Sequence, residues 1–74
     1  MTFEEAKKQA MKLVDGVNVC DEYKDAYHFF HDGNQEVDGE YGVVIMKDSG
    51  KELSWITFIM DYKPETNPKR IKVE

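Results

Sequence analysis

The side chains able to do chemistry in this 74-residue chain are few: Cys20, His28, His31 and a run of carboxylates. His28 and His31 are metal-ligand types, and with the acidic segment 32–40 they outline a small-ligand or metal-binding module. Their spacing works against it. Residues 23–31 read as a strand, on which positions three apart point to opposite faces. The two imidazoles could share an ion only if the strand ended before His31. One aromatic packing residue and one polar residue at a strand end account for the pair more simply. Cys20 with either histidine would make a thiol nucleophile and its base, but no local spacing supports that pairing. A single cysteine also excludes an internal disulfide framework and a four-cysteine metal site.

Asp32-Gly33-Asn34-Gln35-Glu36-Val37-Asp38-Gly39-Glu40 carries oxygen ligands at alternate positions, as a calcium loop does. Such a loop needs glycine at its sixth position and a bidentate glutamate at its twelfth. Counted from Asp32, those places hold Val37 and Val43. A solvated hairpin tip explains the segment. The remaining carboxylates have no apolar pocket that would raise a pKa for acid–base work, and glycine-rich phosphate loops are absent. A domain of this size also has little room for a ligand-sized cavity. The expectation is a protein that is not an enzyme and takes no cofactor or metal.

The charge balance narrows the partners. Acids outnumber bases 15 to 10, for a net charge of −5. Residues 15–40 hold eight acids against Lys24 alone, a local charge of −7. That field repels phosphate, and the short Lys69-Arg70-Ile71-Lys72 stretch is too small to reverse it. No nucleic-acid partner is expected. No apolar run reaches the roughly 20 residues of a membrane span, and residues 1–8 are charged where a secretion signal would be apolar. The expected setting is the cytoplasm, without a membrane partner.

The elements that position these residues read as one small domain over 1–74. Thr2 and Glu5 have the spacing of a capping box. Phe3, Ala6, Ala10, Leu13 and Val14 recur at helical spacing, which predicts a helix over 3–15 ended by Gly16. Beyond it the pattern changes to β: Tyr23 to His31, Tyr41 to Lys47 and Leu53 to Asp61 read as strands. Asp48-Ser49-Gly50 reads as a three-residue hairpin loop. Ile71 and Val73 suit a short edge strand after the Pro64–Pro68 coil. The fold class is therefore α+β: one N-terminal helix packed on a three- to four-stranded antiparallel meander sheet.

The helix with Ala6 and Ala10, the aromatic strand 25–30, and Val43-Val44-Ile45-Met46-Lys47-Asp48-Ser49-Gly50 followed by Leu53 together resemble a known pattern. It is similar to small uncharacterised bacterial proteins of the immunity protein 35 (YrhB-like) group, found beside polymorphic toxins. The resemblance covers most of residues 3–60. It implies a bacterial binding protein with no catalytic residue to carry over.

Apolar residues stand on both sides of the second and third strands, and one helix covers one side. The other side should be buried by another protein or by a second copy of the chain, unless the C-terminal segment folds over it. A three-residue loop would place Ile45 opposite Leu53 and Val43 opposite Trp55. That stripe of Val43, Ile45, Leu53 and Trp55 is expected to face outward. Val44, Met46, Ile56 and Phe58 would then meet the helix. Tyr23, Tyr41 and Tyr62 join Trp55 as aromatic anchors, with the acidic 15–40 segment steering the encounter.

Overall fold

The computed structural model describes residues 2–14, 16–31, 42–64 and 67–73. Helix α1 spans Phe3–Leu13 and starts as its sequence dictates. The Glu5 amide donates to Thr2 Oγ1 at 3.2 Å, and the Thr2 amide donates to Glu5 Oε1 at 2.9 Å. Both halves of the capping box are made, so two of the orphan amides of the first turn are satisfied. Glu5 is held below its ordinary pKa, first by the Thr2 backbone hydrogen bond. The helix stops at Leu13 with Val14 extended, two residues before the expected end. Gly16 takes a positive φ of 77°, in the turn that leads into the sheet.

Five antiparallel strands follow: β1 (Val19–Glu22), β2 (Ala26–Phe30), β3 (Val43–Met46), β4 (Glu52–Leu53) and β5 (Lys69–Lys72). Their order across the sheet is β4-β3-β2-β1-β5. A second helix, α2 (Trp55–Tyr62), separates β4 from β5. The α+β class stands, with five strands instead of three or four and two helices instead of one among the described residues. Two segments account for the difference. Residues 19–22, which carry Asp21 and Glu22, form an interior strand, and residues 55–62 coil where a strand was expected.

Helix α2 forms because Ser54 caps it. The Thr57 amide donates to Ser54 Oγ at 3.2 Å, and Lys63 closes the other end in the left-handed region at φ 46°. Aromatic and β-branched residues fill Trp55–Ile59 and suit a pleated surface by propensity. An apolar run this short leaves the period undecided, and the cap decides for the helix.

The sheet lies between the two helices. On one face Ala6 and Ala10 of α1, both fully buried, pack with Val17, Cys20, Tyr27, Phe29, Val43, Ile45 and Val73. Small residues on α1 let the Phe29 and Tyr27 rings come up under Phe3 at 5.7 and 5.5 Å. On the other face Phe58 of α2 packs with Tyr23, Ala26, Val44 and Met46, with Leu53 and Trp55 at the margin. This reverses the expected assignment of the two faces. Helix α1 lands on the Val43–Ile45 side of β3, and the turn separately shifts β4: the Met46 amide donates to Lys51 O, so four residues, not three, connect β3 to β4. Val44 therefore stands opposite Leu53 and Ile45 opposite Glu52. A one-residue change of register turns every side chain of a strand to the other face.

Candidate functional site

The sequence-derived contact residues divide between core and surface. Val43 and Ile45, expected in an outward stripe, are buried beneath α1. The shifted register takes them away from Leu53 and Trp55, which lie on the α2 side. Tyr23 is also buried, its ring 5.4 Å from Phe58 and 6.1 Å from Trp55. Leu53 and Trp55 are half-buried, while Tyr62 is exposed and stacks on Phe58 at 5.5 Å. Tyr41 and the 32–40 loop lie outside the described residues. Tyr23, Leu53, Trp55 and Tyr62 thus gather around Phe58, and Val43 and Ile45 do not join them.

The chemistry-bearing residues are held apart by the sheet. His28 is buried on the α2 side, stacked on Phe30 at 4.6 Å and on Trp55 at 4.1 Å. His31 is exposed at the end of β2, beside Gly16. Cys20 is fully buried on the α1 side, opposite Phe29 in register, so strand alternation puts its thiol and the His28 imidazole on different faces. Burial, then the Asp21 and Glu22 charges, push the Cys20 thiol up to about 12. Such a thiol is almost wholly protonated near neutrality and is a poor nucleophile. Among the described residues no three His, Cys, Asp or Glu side chains are grouped to hold a metal ion.

Asp21 stands in an interior strand and is nearly buried, which requires a charge partner. Arg70 of β5 lies opposite it in register and grips it bidentately, Nε to Oδ1 at 2.6 Å and the second nitrogen to Oδ2 at 3.2 Å. Shallow clefts of about 430 and 310 Å³ flank Arg70. On the opposite face Lys47 reaches Glu22 at 2.7 Å and lies over the Tyr27 ring. These pairs fasten β5 and the β3–β4 turn to β1.

The fold leaves apolar side chains to solvent on both helices, Met11 and Leu13 on α1 and a larger group on the outer side of α2. With Phe58 directed into the core and Trp55 held against His28, the opposite side presents Ile56, Ile59 and Met60, which are 55%, 37% and 69% exposed. Spacings of three and four residues place them on one face. A surface helix usually turns charged or polar residues to water there. Read as a strand, the same segment divides these three between two faces, which is why the sequence pattern conceals them. Their signal was the Ser54 cap followed by apolar residues at 55, 58, 59 and 62. No helix of the described residues is long and apolar enough to cross a membrane.

No family model, curated protein or solved structure matches the chain.

Proposed function

We propose that this chain is a protein-binding domain, without chemistry of its own, that docks through the outer side of α2. The observation that carries the reading is the exposed Ile56–Ile59–Met60 face. Contiguous exposed apolar surface of a few hundred Å² commonly marks a contact site. The helix bearing it is anchored by Phe58, the Trp55–His28 stack and the Ser54 cap, so little ordering cost remains at docking. Aromatic and Met side chains are also favoured at interface cores. An immunity-type or accessory role in the bacterial cytoplasm is the finer form of the proposal, and it rests on the strand and turn resemblance alone.

Site-specific photocrosslinking in cells tests the docking surface. A photoreactive residue at position 56 or 60 should give a discrete adduct, and the same residue at Lys8 or Lys12 of α1 should not. Equal labelling from both helices, or none from α2, would overturn the proposal.

A further inference from the structure

We draw no further inference here: the strongest candidate, the exposed apolar patch of Ile56, Ile59 and Met60 on the outer side of α2, belongs to the docking surface already described, and nothing in the structure shows what covers it.

Discussion

The rings of His28 and Trp55 lie face to face, 4.1 Å between centroids and 11° from parallel. His28 belongs to the middle strand of the sheet and Trp55 opens α2, so this stack fixes where the second helix lands. Phe30 continues the stack on β2, and Phe58 secures the helix one turn on. The outward aim of Ile56, Ile59 and Met60 follows from these contacts.

Trp55→Ala should therefore cost about 2–3 kcal/mol, below the full penalty of a buried tryptophan because the ring is half-exposed. Pairing it with His28→Ala in a double-mutant cycle should give a coupling of about 0.5–1.5 kcal/mol. Urea denaturation measures both. Additive losses would mean that the stack carries no energy of its own.

Gly42 has a positive φ of 75°, and a Cβ there would strike the Phe29 carbonyl oxygen and come within 2.7 Å of Phe30 Cβ. Backbone atoms of a central strand have nowhere to move. Gly42→Ala should cost about 2–5 kcal/mol, the strained backbone and the forced displacement acting together. A denaturation midpoint like the wild type's would show that this approach to β2 relaxes easily.

Removing Arg70 leaves Asp21 nearly buried without its charge partner. Arg70→Ala should cost about 1–3 kcal/mol, moderated because the arginine is itself half-exposed. Replacing both residues, Asp21→Asn with Arg70→Gln, should cost less than Arg70→Ala alone, since no uncompensated charge then remains. Thermal melts of the two proteins decide the order.

Cys20 gives the protein an alkaline limit. Its folded-state pKa of about 12 lies above the ordinary value of 9.0, so the folded state prefers the protonated thiol. The contribution is fully present below pH 9 and is lost as pH rises toward 12. Between those values stability should fall by up to about 1.4 kcal/mol per pH unit from this group. Cys20→Ala, though destabilised by the cavity it leaves, should show a shallower alkaline slope in denaturant titrations at stepped pH. Parallel slopes in the two proteins would place the loss on other groups.

Local signals were legible in the sequence and distant partners were not. The Thr2–Glu5 box, the Ala6–Ala10 stripe, the positive φ of Gly16 and Gly50 and the strand characters of β2 and β3 all depend on residues a few positions apart. Strand β1 escaped because Asp21 and Glu22 look like surface residues until Arg70 and Lys47 arrive, 49 and 25 residues later in the chain. The exposed α2 face escaped because a run of bulky apolar residues satisfies two periods at once. Only the Ser54 hydroxyl and the fourth residue of the preceding turn separate them. That single extra residue moved Leu53 to the α2 side, while α1 buried Val43 and Ile45 and the coiling of 55–62 left the outward positions to Ile56, Ile59 and Met60.

The central claim is that the outer side of α2 is the surface this domain uses. Methyl-resolved NMR of the labelled chain, alone and in cytosolic extract, tests it most directly. The Ile56, Ile59 and Met60 methyl signals should shift together in the extract while those of Val44 and Ile45 stay fixed. Stationary α2 methyls, with Met11 and Leu13 of α1 moving in their place, would put the contact on the other helix and contradict the account.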